Sequence, residues 1–598
     1  MKKIIKYLFL LTGGSFILAS CNDFLDREPL DSVTPDNFFF TENDLAAYAV
    51  KHYNFTTHEG FNAGIWKNDN ATDNQAATDY DKKWIPGQWK VPEAYDNPAS
   101  NDPWYFSAIR EANYFLETVV PRFEKGEIEG SETNIKHYIG EMYFLRAKNY
   151  LSKLETFGDF PIIKNTLPDE SESLIQASKR APRYKVAHFI LEDLDQAISL
   201  LTNNISGGKN RITKNAALLL KSRAALFEAS WLTYHKGTAL VPGGPGWPGK
   251  AEDIADFNID TEIAFFLKEA KAAAKEVIGN AALVQNTAKD CMDETVKTDE
   301  DKYKMSNPYF AQFSANSLEG YSEILMWRAY NLLDYKIVHS APFYIRVGGN
   351  TGFTRQYIES FLCRDGKPIY ATDQYKGDES LSDVRKNRDL RLQLFLMTSG
   401  ETLSPNVMNG TPDLLPEVPQ LLDITEKRCV TGYQVRKGLS GNWYRDGNTA
   451  IEGCPVYRAA EAYLNYIEAD CMEHNGTSIG SEAAGYWGDL RERAGLPRDY
   501  TVTVNNTDLS KELDWAIYSA GKLVSPLLYN IRRERRCELL AEGLRMLDLK
   551  RWRALDQVKQ FVIEGVNLWE SDLKDKYMQD GKNLLIQEGT EGQTSNVS

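Results

Sequence analysis

Residues 215–235 read NAALLLKSRAALFEASWLTYH. Ala217, Leu220, Ala224, Phe227 and Trp231 fall at steps of three and four, which aligns them on one face of an α-helix. Small alanines among bulky side chains let a neighbouring helix approach closely. His137 to Glu155 repeats the pattern through Tyr138, Met142, Leu145, Tyr150 and Leu154, with the small Ala147 among them. Arg183 to Leu201 does so through Ala187, Ile190, Leu191, Leu194 and Ile198. Helical hairpins of this kind bury one another's apolar faces, which is the logic of a TPR-like array, here without a clean repeat length.

Working outward, Trp104 to Val119 carries Phe106, Ile109, Tyr114 and Phe115 at helical spacing, and a first helix is expected from Glu42 towards Tyr53. Further helices are expected over Thr261–Val277, Val456–His474, Asp514–Leu523, Val524–Glu542 and Leu544–Val558. Residues 285–450 break the pattern with a strand-like Glu323–Trp327, a loop-rich stretch near 364–384 and a Pro-rich 404–419. Residues 55–103 are a long connection rich in Asn, Asp, Gly and aromatic residues; a stretch of that length normally builds a site or a lid. The fold class is predominantly α.

The chain opens with Lys2, Lys3 and Lys6, a short apolar run from Leu8 to Ala19, and Leu18-Ala19-Ser20-Cys21. The run is too short to span a bilayer, so it reads as a secretory signal. Small residues before a single cysteine resemble a bacterial lipoprotein signal with Cys21 as the acylated residue, tying the body to a lipid bilayer. The expected organisation is 1–20 signal peptide, 21–37 lipidated Cys and tether, 38–260 N-terminal helical region, 261–450 irregular region and 451–598 C-terminal helical region of the same body. The polar tail Gln579–Ser598 is expected to fray.

With 84 Asp+Glu against 69 Lys+Arg the charge is -15, which argues against a broad nucleic-acid surface. The six cysteines after Cys21 form no CxxC pair, so neither a disulfide scaffold nor a thiolate metal site is expected. Gly476-Thr477-Ser478-Ile479-Gly480 has nucleophile-elbow spacing but follows a helical pattern instead of a strand. Gly244 to Lys250 lacks the hydroxyl residue of a phosphate loop and carries Pro245 and Pro248 where N–H donors are needed. The seven histidines form no HExxH, and no local pattern nominates a hydrolytic carboxylate pair. Asp69, Asp73, Asp79 and Asp81 could offer oxygens to calcium without matching an EF-hand, so calcium stays unassigned and no cofactor is expected. In Ile531-Arg-Arg-Glu-Arg-Arg-Cys-Glu-Leu-Leu-Ala-Glu-Gly543, Arg535 with Glu538, and Glu542 with Arg545, are spaced for local ion pairs that brace the structure.

The lipoprotein start together with this charged helix resembles the SusD/RagB family of Bacteroidetes outer-membrane lipoproteins. The resemblance runs through Cys21-Asn22-Asp23-Phe24-Leu25-Asp26, through Gly158, Asp159 and Pro161 in Phe157–Ile162, and through Tyr457–Leu464. It is densest at Glu534, Arg535, Arg536, Glu538, Glu542, Gly543, Asp548, Arg551 and Trp552. It implies a helical, TPR-like scaffold with an irregular, loop-rich ligand-binding region. It also implies a non-catalytic, surface-exposed, lipid-anchored outer-membrane protein that captures oligosaccharides for a SusC-like TonB-dependent transporter. In some branches the cargo is peptide, and an extracellular helical glycoside hydrolase is the other rival. The resemblance transfers no contact residues. Composition nominates Trp66, Trp84, Trp89, Tyr303, Tyr309 and Trp327 as a platform for sugar faces, with Asn68, Asp69, Asp73 and Arg328 for hydroxyls. For any single ring core packing is the stronger reading, and it is the role assigned to Trp104, Trp231 and Trp552.

Overall fold

The computed structural model describes residues 38–79, 81, 84, 104–287, 307–333, 336–398, 402–404, 413–414, 418–440, 449–558 and 562–585. The signal, Cys21 and the tether, together with Trp89 and Tyr303, lie outside the described residues.

Helices α1 (Glu42–Lys51), α2 (Ser107–Glu124), α3 (Glu132–Phe157), α4 (Arg183–Leu200), α5 (Lys214–His235) and α6 (Ile259–Asn280) form the array. Each forms where the apolar spacing foretold it. Thr41 and Asp44 close a reciprocal capping box on α1, and the Thr213 hydroxyl accepts from Ala216 N–H at the start of α5. Neighbours in sequence pack on one another: α3 on α2 and α4, α5 on α4 and α6. Helix α5 is buried nearly all round, which is why its alanines matter: Ala216, Ala217, Ala225 and Ala229 have no exposed surface.

The C-terminal helices α7 (Ala460–Glu473), α8 (Ser481–Arg493), α9 (Pro526–Glu538) and α10 (Arg545–Arg551) complete the body. Helix α7 packs on α6, α8 and α9, and α10 returns to α5. Four expectations are corrected at the level of element bounds. Val456 belongs to a strand that precedes α7. Ser525 caps α9, with Pro526 at its first turn, and α9 ends at Glu538. Helix α10 stops at Arg551. Asp514–Leu523 is no helix but a 3₁₀ turn, Trp515–Ile517, followed by a hairpin pairing Tyr518–Ser519 with Lys522–Leu523. Ala520 and Gly521 both take positive φ there, which a tight two-residue hairpin turn requires.

The irregular region is laid over the helices by short pieces. Strand β1 (Gln75–Ala77) from the first long connection pairs antiparallel with β3 (Thr351–Phe353). Strand β2 (Ile324–Arg328) pairs with β4 (Cys454–Arg458) and realises the expected Glu323–Trp327 strand, shifted by one residue. Apolar side chains from the first connection, the irregular region and α9 share a second core around Trp66, Tyr309, Phe353 and Phe395. Cys363, Cys429, Cys454, Cys471 and Cys537 are buried free thiols. Residues 578–579 and 582–583 form a small hairpin, so the start of the tail is tied down.

Candidate functional site

The charged run of α9 turns inward. Every residue from Leu527 to Glu538 is buried, and its charges find partners far away in the chain. Glu538 lies 2.7 Å from Arg458 and from Arg493 and 3.1 Å from Arg391, and it accepts the Tyr309 hydroxyl at 3.1 Å. Burial alone would push its carboxyl up; the guanidinium groups of Arg493, Arg458 and Arg391 outweigh that and hold it well below the usual range. Glu534 pairs with Arg391, Glu542 with Lys437 and Arg458, Arg535 with Asp548, and Arg551 with Glu468 and Asp548. Trp552 is buried and its indole N–H donates to Glu468. The proposed i,i+3 pairs are therefore corrected: Arg535 and Glu538 take other partners, as do Glu542 and Arg545. A buried charge needs several donors or acceptors around it, and one helical neighbour cannot supply them.

A second knot joins α10 to the first long connection. Arg545 donates its Nε to Asp73 Oδ1 at 2.8 Å and its Nη2 to Asp73 Oδ2 at 2.7 Å and to Asp514 Oδ1 at 2.5 Å. Arg536 ion-pairs with the same two aspartates at 3.2 and 3.1 Å. Asp69 is also buried, and burial pushes its carboxyl up to about 6. Asp73 thus serves an ionic knot, Asp69 accepts the Arg545 backbone N–H and the Asn74 amide, and among the described residues no group of three or more His, Cys, Asp or Glu is placed to hold a metal.

Three of the four nominated rings that lie among the described residues are corrected to packing. Trp66 is 1% exposed, standing edge-on to Phe313 beneath Gly438, where an added Cβ would lie 2.0 Å from its indole nitrogen. Tyr309 has no exposed surface, and Trp327 is buried with its indole N–H donating to Glu319 at 3.1 Å. None of these three offers a face to a ligand. Asn68 and Arg328 are exposed, the latter near the Tyr330 ring at 5.8 Å. The Gly158 turn instead seats Asp159, which accepts from the Arg183 N–H and the Trp247 indole. Phe160 stacks between Trp104 and Phe106 beside it.

Trp84 behaves differently. It is half-buried, its indole N–H donates to Ala71 O at 3.1 Å, and its ring meets Trp515 with centroids 5.0 Å apart at 59°. Trp515, also half-buried, follows Asp514 in the chain, and Asp514 lines a small, partly open cleft with Glu359, Pro368, Tyr370, Lys511 and Arg533. Every carboxylate of the cleft is engaged: Glu359 by Arg355, Glu512 by Arg533, and Asp514 by Arg536 and Arg545. The Tyr370 hydroxyl donates to Glu512 at 2.7 Å, and the Lys511 ammonium lies 5.4 Å from the Tyr370 ring. Rings and hydrogen-bonding groups held by pairs already satisfied suit recognition of a neutral polyol. Sequence reading missed Trp515 because it assigned the residue to a helix. The available signal was an Asp directly ahead of the segment, a residue type that caps short turns; its side chain accepts from Ala516 N–H.

Residues 297–596 match the family model described as the SusD family, and residues 23–226 match one described as starch-binding associating with outer membrane. SusD-like protein P2 of Formosa agariphila is 25% identical over 557 residues, covering 90% of this chain and 89% of that protein. A solved SusD-like protein from Bacteroides fragilis aligns with a TM-score of 0.58 at 22% identity, covering 88% of this chain and 89% of that one. A SusD-like carbohydrate binding protein from the same species gives 0.58 at 18% identity, covering 90% and 91%. At these identities the structural likeness speaks for the fold. SusD-family proteins are non-catalytic outer-membrane lipoproteins that bind glycans and work with SusC-type transporters. The order of elements, the inward-turned charged helix and the match over residues 297–596 lead to one conclusion: this chain belongs to the SusD/RagB family.

Proposed function

We propose that this chain is a cell-surface lipoprotein, anchored through Cys21, that captures oligosaccharides and passes them to a SusC-like TonB-dependent transporter without cleaving them. The helical hairpins, on this reading TPR-like, are the scaffold, and the irregular region with the 55–103 connection supplies the ligand surface. One observation carries the proposal: the half-buried Trp84–Trp515 pair, whose Trp515 directly follows the Asp514 that lines the cleft of Tyr370 and Lys511. Two rings set at an angle suit a glycan whose successive sugars turn relative to one another, and apolar sugar faces gain by leaving water against them.

Anchoring confines the binder near the transporter and raises the encounter rate as a linked second site does. The test is a panel of oligosaccharides and peptides applied to the lipid-free protein beginning after Cys21, with and without Trp515→Ala. Binding of an oligosaccharide that Trp515→Ala abolishes supports the reading. Binding of peptides alone moves it to peptide capture, and release of reducing ends from a polysaccharide overturns it.

A further inference from the structure

We infer that Arg545 is a positioning residue for the ligand site, setting the angle between Trp84 and Trp515 while touching neither ligand nor ring. The inference rests on the reading of those two rings as ligand contacts. The two tryptophans come from segments more than four hundred residues apart, and one of the two aspartates that Arg545 grips lies close in the chain to each support: Asp73 two residues past Ala71, Asp514 directly before Trp515.

On one side, Asp73 and Asp69 flank the turn whose Ala71 carbonyl accepts the Trp84 indole N–H. Ala71 sits at a positive φ of 64°, a conformation that an L-residue holds only when its surroundings impose it. Asp69 supports the same turn from within, accepting from Arg545 N–H and from Asn74 at 3.4 Å each and through its carbonyl from the Thr72 hydroxyl. On the other side, Asp514 Oδ1 accepts from Ala516 N–H at 2.8 Å and so caps the short turn that holds Trp515. The same oxygen meets Arg545 Nη2. The planar guanidinium thus spans both supports with one rigid fork, bidentate to Asp73 and single to Asp514.

Arg536 closes the square from α9 and would partly hold the charges if Arg545 were shortened. Lysine offers a point charge and cannot reproduce the fork, so Arg545→Lys keeps charge and loses geometry. That distinction separates positioning from bulk stability.

The readout is the exciton couplet that two indoles in close contact produce in circular dichroism, assigned by its loss in Trp84→Phe and in Trp515→Phe. In Arg545→Lys, checked for folding by its thermal transition, the couplet is expected to fall by half or more. The best binder of the oligosaccharide panel is expected to weaken about tenfold, a change of 1.4 kcal/mol. Asp73→Asn, which keeps the shape and removes one charge, is expected to reproduce both effects. A folded Arg545→Lys with the couplet and affinity of the parent overturns the inference, as does a parent protein without any couplet. A lost couplet with unchanged affinity overturns the rings as ligand contacts, and Arg545's part in binding with them. If both variants fail to fold, Arg545 is a structural clamp and the inference falls.

Discussion

Glu538 and Arg458, eighty positions apart, meet at 2.7 Å inside the protein, and each is shared with further ions: Glu538 with Arg391 and Arg493, Arg458 with Glu323 and Glu542. Removing one member strands the others. Glu538→Gln is expected to cost about 3–5 kcal/mol, because three guanidinium groups lose a shared buried counter-charge. Denaturant unfolding of the lipid-free protein measures it; a loss below about 1 kcal/mol would mean that water already solvates the knot.

Much of the array was legible in advance, and the reason is local. Helices such as α5 announce themselves because Ala217, Leu220, Ala224, Phe227 and Trp231 need only their own spacing to define a face. The charged helix α9 was recognisable as bracing, yet its partners were not, since Arg391, Arg458 and Arg493 reach it from three other segments. Ring placement failed for the same reason. Trp66 sits in a polar-looking stretch and is covered by Gly438 and Phe313, which come from elsewhere in the chain. Trp84 was nominated because the loop it belongs to is aromatic-rich, and Trp515 was not because its segment scans as helix.

Trp66 and Trp515 are expected to separate stability from binding. Trp66→Ala removes a buried indole and should cost about 3–5 kcal/mol, read from the unfolding midpoint. Trp515→Ala, which removes a half-buried ring, should cost less, about 1–2 kcal/mol, and weaken oligosaccharide binding about tenfold by calorimetry. A Trp515→Ala protein that binds as the parent does would remove the cleft from the functional account.

Gly438 tests the packing over Trp66. At φ +82° and with an added Cβ 2.0 Å from the indole nitrogen, Gly438→Ala must both strain the backbone and displace the ring. A destabilisation of about 2 kcal/mol or more is expected, whereas Gly521→Ala, also at positive φ but with open space around it, should cost about 1 kcal/mol. Equal losses at the two sites would show that only the backbone matters.

His235 gives an acid dependence with a definite sign. Burial pushes its imidazole down to about 4, partly offset by its hydrogen bond to the Lys550 carbonyl. The unfolded chain takes up a proton near 6.5 and the folded one only near 4, so stability falls as pH drops through that window, by roughly 2–3 kcal/mol from this group. Asp69 acts in the opposite sense, since burial raises its carboxyl to about 6 and its stabilising protonated form is lost as pH rises from 4 to 6. The difference between parent and His235→Gln isolates the imidazole. The variant should show a flatter fall between pH 6.5 and 4 in denaturant midpoints, and parallel curves would rule out the assignment.

The grip of Arg545 on Asp73 reaches back 472 positions. A polypeptide delivered amino end first presents Asp73 early and Arg545 only when less than a tenth of it is still to come. Until α9 and α10 arrive the aspartate has neither of its guanidinium partners, Arg536 and Arg545, and closing so large a loop carries an entropic penalty. If the two tryptophans are the ligand contacts, a chain ended before α9 would keep the hairpins of its first half and lack both guanidinium groups of the knot that lies next to Trp515.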